Sequence, residues 1–244
     1  MIEAVAGHGK LLVVRAMFDL PTQCAVCRGW SAQRICGDCV LRHAAPRPRC
    51  VGCAIGVPIG MPIGVQRCGA CITAPLPFAQ AVAAVDYGFP WSGLVTALKF
   101  HAALDLSDGL AVLLADAVRR SAVPLPPLVL PVPLGPDRQA ERGMNQSWEL
   151  ARRVAQRLQL RAHAALLTRR VETPHLADLP RDERARAIRG AFALAPGATT
   201  SLRGQHVALV DDVMTTGATA AEAARTLLNG GTASVQLWVF ARTP

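Results

Sequence analysis

The segment His206-Val-Ala-Leu-Val-Asp-Asp-Val-Met-Thr-Thr-Gly-Ala-Thr219 decides the fold of this 244-residue chain. Residues 207–210 are an unbroken apolar run, which is typical of a parallel strand covered by helices on both faces. The predicted strand ends in the acidic pair Asp211 and Asp212, and a short loop then leads into a helix predicted over residues 218–228. Ligands of open parallel sheets bind just beyond the carboxyl ends of strands, so we expect a binding site here.

The loop after this strand has the chemistry of a phosphate site. Its backbone N–H groups and the helix N-terminus favour an anion, and Gly217 lets the backbone approach a ligand closely. Thr215, Thr216 and Thr219 add hydroxyl donors, while the acid pair can accept hydrogen bonds from a vicinal diol or hold a divalent cation. Phosphate beside a diol describes ribose 5-phosphate. Each part taken alone also fits an ordinary capped helix that follows a solvated acid pair.

Strands and helices alternate through the rest of the second half of the chain. Strands are predicted over residues 81–87, 128–132 and 234–240, and helices over residues 91–100, 110–120 and 147–160. This alternation predicts an α/β fold with a parallel sheet flanked by helices. All eight cysteines precede residue 75, and Pro75-Leu-Pro77 is expected to be a linker. We therefore expect a small cysteine-rich module over residues 1–77 and an α/β domain over residues 78–244.

Three basic residues stand near the predicted strand ends. Lys99 ends an otherwise apolar helix, and Arg138 and Arg142 lie in a polar segment, expected to be a loop, between residues 132 and 147. A departing pyrophosphate group gathers negative charge, which Arg, Lys and Mg²⁺ can stabilise. Taken singly, each of these side chains fits an ordinary surface residue.

The motif Val210-Asp-Asp-Val-Met-Thr-Thr-Gly-Ala-Thr219 resembles the site for phosphoribosyl pyrophosphate (PRPP) of type I phosphoribosyltransferases. The resemblance implies that the two aspartates hold the ribose 2- and 3-hydroxyls. It also implies that PRPP binds with Mg²⁺, and that the 5-phosphate is cradled by Thr215, Thr216, Gly217, Ala218 and Thr219.

A second resemblance extends over essentially the whole chain. The segments Leu98-Lys-Phe100, Pro131-Val-Pro-Leu134 and Arg142-Gly-Met-Asn-Gln-Ser147 are similar to those of the ComF family, which includes the GntX-like proteins. The chain departs from the usual family residues at Leu176, Ala187 and Met144, where the family has Gln, Asn and often Phe. The first two departures bear on turnover and on the identity of the acceptor.

The cysteines form four C-x2-C pairs, namely Cys24 and Cys27, Cys36 and Cys39, Cys50 and Cys53, and Cys68 and Cys71. Two such pairs complete a tetrahedral site for one zinc ion, so eight ligands predict two structural zinc ions. Sequential pairing gives a double zinc ribbon. Interleaved pairing, Fe–S ligation and redox chemistry of the pairs are the alternatives.

The chain is basic, with a formal net charge of +9 and a pI of about 9.7. A basic surface attracts polyanions, which include nucleic acids and sugar pyrophosphates. Six arginines lie between the first and the last cysteine: Arg28, Arg34, Arg42, Arg47, Arg49 and Arg67. The N-terminal residues contain charges that break any apolar signal core, and no uncharged stretch fits a membrane span, so we expect a cytoplasmic protein.

Two functions follow from these features. The first is an enzyme that binds PRPP with Mg²⁺ and transfers the phosphoribosyl group to a nitrogenous acceptor, releasing pyrophosphate. The second is a non-catalytic factor for competence, DNA uptake or DNA handling that keeps the PRPP pocket and binds single-stranded or double-stranded DNA or a competence protein. The intact loop favours the enzyme, and the altered segment around Leu176 and Ala187 favours the binding protein.

Overall fold

The computed structural model describes residues 21–58, 67–171 and 186–244. Five parallel strands form the central sheet in the order β3-β9-β8-β4-β5. These strands are β3 (Gln80–Asp86), β4 (Leu128–Pro131), β5 (Arg161–Ala162), β8 (His206–Met214) and β9 (Ser234–Arg242). The predicted α/β architecture with a parallel sheet is confirmed.

Helices cover both faces of this sheet. In the described part of the sheet domain, the helices are α3 (Trp91–Phe100), α4 (Leu106–Arg120), α5 (Pro136–Arg142), α6 (Gln146–Leu158), α7 (Ala198–Leu202) and α8 (Ala218–Asn229). The cysteine-rich region contains β1 (Thr22–Gln23), β2 (Trp30–Ser31), α1 (Gly37–His43) and α2 (Gly69–Thr73), and a separate antiparallel pair joins β6 (Leu167–Arg169) to β7 (Phe192–Leu194).

Strand β8 shows why the sheet is buried on both sides. Ala208 and Val210 belong to the core that contains residues of α3, α4 and α6, whereas Val207 and Leu209 belong to the core that contains residues of α7 and α8. All four are fully buried. Burying one Val or Leu side chain is worth about 1.5–3 kcal/mol, so this apolar run fixes β8 at the centre of the fold.

The largest differences from the sequence predictions are two element boundaries and one helix in place of a loop. Strand β8 continues through the acid pair to Met214, because its ladder with β9 extends to the pairing of Met214 with Arg242. Helix α4 begins at Leu106, four residues earlier than predicted. The segment that carries Arg138 and Arg142 is helix α5 instead of a loop, with Pro136 at its first position, where the missing N–H costs nothing.

The cysteine-rich region packs on the sheet domain from both sides. Ile35 and Cys39 join the α4 core, and Ile35 lies so close to Gly109 that a β-carbon there would be 3.1 Å from its Cδ1. Cys50 joins the opposite core, and the N–H of Ala81 in β3 donates to the carbonyl of Val51 at 2.8 Å. The region therefore covers the β3 edge of the sheet.

No helix among the described ranges is long and apolar enough to cross a membrane.

Candidate functional site

The acid pair lies at the carboxyl end of β8 against helix α3. Asp212 is 4% exposed, and Lys99 in the last turn of α3 places its Nζ 2.9 Å from Asp212 Oδ2. The two side chains form an ion pair. The structure thus brings together one predicted acid and one predicted base from distant parts of the chain.

The other acid is held by helix α6. Ser147 Oγ donates to Asp211 Oδ1 at 2.8 Å, and the backbone N–H of Asp212 donates to the same oxygen at 2.9 Å. Asn145 caps α6 by accepting from the N–H groups of Ser147 and Trp148, which fixes the position of the serine. Burial, together with the negative charge of Asp212, raises the pKa of Asp211 to about 7.

Positive charge collects beside the acid pair. Burial lowers the pKa of Lys99, but the carboxylates of Asp212 and Asp211 outweigh it, so that the pKa is raised. The guanidinium of Arg142 lies 4.9 Å from the centre of the Phe100 ring, and its charge is felt at Lys99. Arg142 therefore lies close to Lys99 at the end of α3. Arg138 lies four residues earlier on α5, a spacing that places it on the same face of that helix.

The predicted phosphate loop connects β8 to α8 with a compact turn. Gly217 has φ +81° and caps α8, and Thr216 Oγ1 accepts from the N–H of Ala218 at 3.3 Å. Thr215 is exposed, and Thr219 lies in the first turn of α8. Within the described ranges, the N–H groups of residues 215–217 donate no hydrogen bond. These free donors at a helix N-terminus fit a phosphate group.

Glycine is needed at position 217 for reasons that the sequence does not show. A side chain is strained at its left-handed φ, and a β-carbon would lie 2.5 Å from Met214 Cε and 3.6 Å from Leu76 Cδ1. The loop thus packs directly on Met214 and Leu76, the latter from the segment expected to be a linker.

The eight cysteines form two groups of four. The first contains Cys24, Cys27, Cys36 and Cys39, and the second contains Cys50, Cys53, Cys68 and Cys71, with the sulfurs of each group within 4.8 Å of one another. The pairing is sequential, so the interleaved alternative does not hold. In both groups the second pair begins a short helix, with Cys36 preceding α1 and Cys68 preceding α2.

The sulfur geometry fits a tetrahedral metal ion. Three pairs of sulfurs stand 3.7–3.8 Å apart, and a tetrahedron with a metal–sulfur distance of about 2.3 Å has edges of about 3.8 Å. Burial raises the pKa of Cys24, but backbone N–H donors, first that of Cys36, outweigh it and lower this pKa to about 6. Burial and the neighbouring sulfurs raise the pKa of Cys39 to about 12. A bound cation relieves this repulsion between thiolates.

Three of the six arginines between Cys24 and Cys71 form ion pairs in the described part of the chain. Arg47 and Arg49 both contact Asp86 at the end of β3, the latter at 2.8 Å, and Arg34 contacts Asp105 at 2.6 Å. These three side chains connect the region to the sheet domain. Because carboxylates neutralise their charges, fewer arginines contribute to the basic surface expected from the sequence.

The segment with the altered family positions is seen only in part. Leu176 lies outside the described residues. Ala187 is half-buried beside the buried Ile188, and the N–H of Gly190 donates to Glu222 on α8 at 2.7 Å. The described end of this segment is therefore anchored on the helix that follows the phosphate loop.

A parallel sheet whose central strand carries an acid pair near its carboxyl end, and leads through a phosphate-type loop into a helix, defines the type I phosphoribosyltransferase fold. The sequence pattern described as "Phosphoribosyl transferase domain" matches residues 144–244. Among solved structures, the chain is similar to a glutamine PRPP amidotransferase from B. subtilis complexed with ADP and GMP, at 19% identity and a TM-score of 0.37. The match covers 55% of this chain and only 25% of that chain.

Two curated relatives extend over most of the chain. It is 34% identical over 237 residues to DNA utilization protein YhgH of Salmonella typhi, covering 93% of this chain and 100% of that protein. It is 30% identical over 213 residues to Competence protein F of Haemophilus influenzae, covering 82% of this chain and 93% of that protein. The chain therefore belongs to the ComF family.

Proposed function

We propose that this chain binds PRPP with Mg²⁺ at the end of β8 and transfers the phosphoribosyl group to a nitrogenous acceptor. The observation that carries the proposal is the order of groups along one strand and its loop. An acid pair stands two residues before a loop with free N–H groups, and Lys99 and Arg142 stand beside the acids. A molecule with a diol, a 5-phosphate and an anionic leaving group matches all three features.

Different residues bind different parts of PRPP. Asp211 and Asp212 accept hydrogen bonds from the ribose hydroxyls, and the loop amides and threonines hold the 5-phosphate. Lys99 and Arg142 face the pyrophosphate, where negative charge grows as the bond from C1 to the leaving oxygen breaks. Mg²⁺ is a hard cation that suits carboxylate and phosphate oxygens, and when bound it neutralises part of that charge.

The chemical step needs positioning and no covalent nucleophile. The acceptor nitrogen forms a bond to C1 of the ribose, and the electron pair of the broken C1–O bond leaves with pyrophosphate. Holding the ribose by its hydroxyls and its 5-phosphate orients C1 for this attack. Ser147 supports the step indirectly, because it fixes the carboxylate of Asp211.

Transfer is tested by incubating the purified chain with PRPP, Mg²⁺ and a panel of purine and pyrimidine bases, and by measuring released pyrophosphate. The expected result is pyrophosphate release that depends on one class of base and is lost in Lys99→Met. If the chain binds PRPP but releases no pyrophosphate with any base, the proposed transferase activity is contradicted and the proposed PRPP site is retained.

A non-catalytic DNA-handling role is the second candidate. It is favoured by the names of the relatives, DNA utilization protein and Competence protein F. Arg28 and Arg42 on the first cysteine group are exposed, and neither has an ion-pair partner among the described residues. Such arginines contact DNA phosphates without sequence preference.

The test of this second role is a salt titration of binding to single-stranded and double-stranded DNA. If the role is correct, Arg28→Ala with Arg42→Ala weakens binding and lowers the salt slope by about 2. The matched control is Arg119→Ala with Arg225→Ala, two exposed arginines on helices of the sheet domain. No binding at low salt, or equal effects of both double variants, contradicts a DNA site on the first cysteine group.

A further inference from the structure

One buried arginine connects the second cysteine group to the phosphate loop. Arg242, at the end of β9, is 6% exposed, and its Nε donates to the carbonyl of Cys53 at 2.8 Å. Its Nη1 donates to the carbonyl of Met214 at 3.3 Å and to that of Thr243. One side chain thus bridges a metal-ligating segment and the last residue of β8, directly before the loop.

In the described part of the chain, the donors of this arginine are occupied by backbone carbonyls and not by a carboxylate. Within the described ranges Arg242 forms no ion pair, and its donors meet backbone carbonyls instead. Burying a guanidinium against carbonyls alone is costly, because a buried charge is normally paired. Arg242 is thus a polar bridge at the end of an otherwise apolar, buried strand.

Met214 contacts both Arg242 and the phosphate loop. Its carbonyl accepts from Arg242 and also from the N–H of Thr243 at 3.0 Å. Its terminal methyl lies against Gly217, which caps α8 and has the left-handed φ of the turn. A shift of Met214 therefore moves the part of the loop whose free N–H groups fit a phosphate.

A second contact also connects the segment of the second cysteine group to the phosphate loop. Leu76 follows α2, the helix that carries Cys71, and its side chain packs beside Gly217. By contrast, the region of the first cysteine group contacts α3 and α4. The indole N–H of Trp91 on α3 donates to the carbonyl of His43. At α4, Arg34 forms an ion pair with Asp105, and Ile35 packs beside Gly109. Within the described ranges, the hydrogen bonds and ion pairs of the first group do not reach residues 214–217.

We propose that Arg242 is a positioning residue that couples the second cysteine group to the phosphate loop, so that metal bound at Cys50, Cys53, Cys68 and Cys71 strengthens PRPP binding. This proposal rests on PRPP binding at the loop, as proposed above. Coupling between two binding sites is reciprocal, so PRPP must in turn strengthen metal binding at the second group. The first group, which lacks the bridge, is not coupled in this way.

The first test compares PRPP affinity in the full chain. Titration calorimetry with PRPP and Mg²⁺ is performed on the native chain, on Arg242→Met, and on Arg225→Met, an exposed arginine of α8 as control. Arg242→Met is expected to raise the Kd at least tenfold, and Arg225→Met less than twofold. A folded Arg242→Met chain with native affinity overturns the coupling alone. If the native chain binds no PRPP, both the proposed function and the proposed coupling are contradicted.

The second test uses reciprocity and decides the matter even if Arg242→Met does not fold. A chromogenic chelator extracts the metal from the native chain with and without Mg²⁺-saturated PRPP. PRPP is expected to slow the release of one of the two ions, and Cys36→Ser and Cys68→Ser then identify that ion. Protection must persist in Cys36→Ser, which retains the second site, and disappear in Cys68→Ser. Equal protection of both ions, or of neither, overturns the proposal, since an arginine with only a structural role gives no PRPP-dependent protection.

Discussion

Replacing Asp211 and Asp212 together by asparagine separates binding of the sugar from binding of the phosphate. The change removes the negative charge of the acid pair and keeps the side-chain volumes, and an asparagine oxygen at position 211 can still accept from Ser147. Each hydrogen bond from a ribose hydroxyl to a carboxylate is worth about 1.5–3 kcal/mol, so two lost bonds amount to about 3–6 kcal/mol. Lys99, released from its ion pair at 2.9 Å, attracts the anionic ligand and offsets part of this loss.

The expected result is therefore a Kd for PRPP that rises at least about tenfold, which corresponds to 1.4 kcal/mol. Inorganic phosphate has no hydroxyls to lose, so its affinity is expected to stay the same or to rise. Calorimetry of both ligands, with and without Mg²⁺, measures the two effects, and the exposed Asp116→Asn serves as control. Equal weakening of PRPP and phosphate would refute the reasoning, because the acids would then act through general electrostatics or through the metal.

Three further predictions concern the metal sites, the loop and the support of the acid pair. Elemental analysis should find about two zinc ions per chain, and Cys24→Ser should lower this to about one; a native value near one, or iron with visible absorbance, contradicts the two-zinc account. Gly217→Val should abolish PRPP binding because its side chain meets Met214, whereas Gly204→Val, at φ +70° with no atom within 4 Å of its β-carbon, should lower only the melting temperature; equal PRPP affinities would remove the loop from the site. Ser147→Ala should weaken PRPP about threefold to tenfold, as expected for one lost hydrogen bond of about 1 kcal/mol, and Ser147→Thr should restore most of the affinity in the same titration.

The central strand and its loop could be predicted because local signals agree there. An apolar run, two acids and a glycine-containing turn before a helix are all read from consecutive residues. The strand end could not be placed, because β8 stops where its neighbour stops, and the pairing of Met214 with Arg242 joins residues 28 positions apart. For the same reason Asp211 and Asp212 lie inside the strand, two residues before its end.

Helix α5 was missed although a signal for it was present. Gly135 followed by Pro136 is a common helix start, but the segment is short, charged and without an apolar face, so periodicity gave no support. The early start of α4 had a tertiary cause. Its first turns include Gly109, which resembles a turn residue in the sequence but allows the close approach of Ile35.

The contacts that complete the site also could not be predicted from the sequence. Spacing alone predicted the cysteine pairs but left their grouping open, since sequential and interleaved arrangements use the same C-x2-C units. Lys99 was a candidate for pyrophosphate, and only the fold shows its ion pair with Asp212. No pattern in the sequence singles out Arg242, because its burial depends on a carbonyl 189 residues away.

The central claim is that the end of β8 and the loop before α8 form a PRPP site. The most direct test is a calorimetric titration of the native, metal-loaded chain with PRPP in the presence and absence of Mg²⁺. We predict saturable binding of one PRPP per chain that is stronger with Mg²⁺ and is competed by pyrophosphate. A native chain that shows no heat with PRPP under either condition, while remaining folded with its metal content intact, would contradict the account.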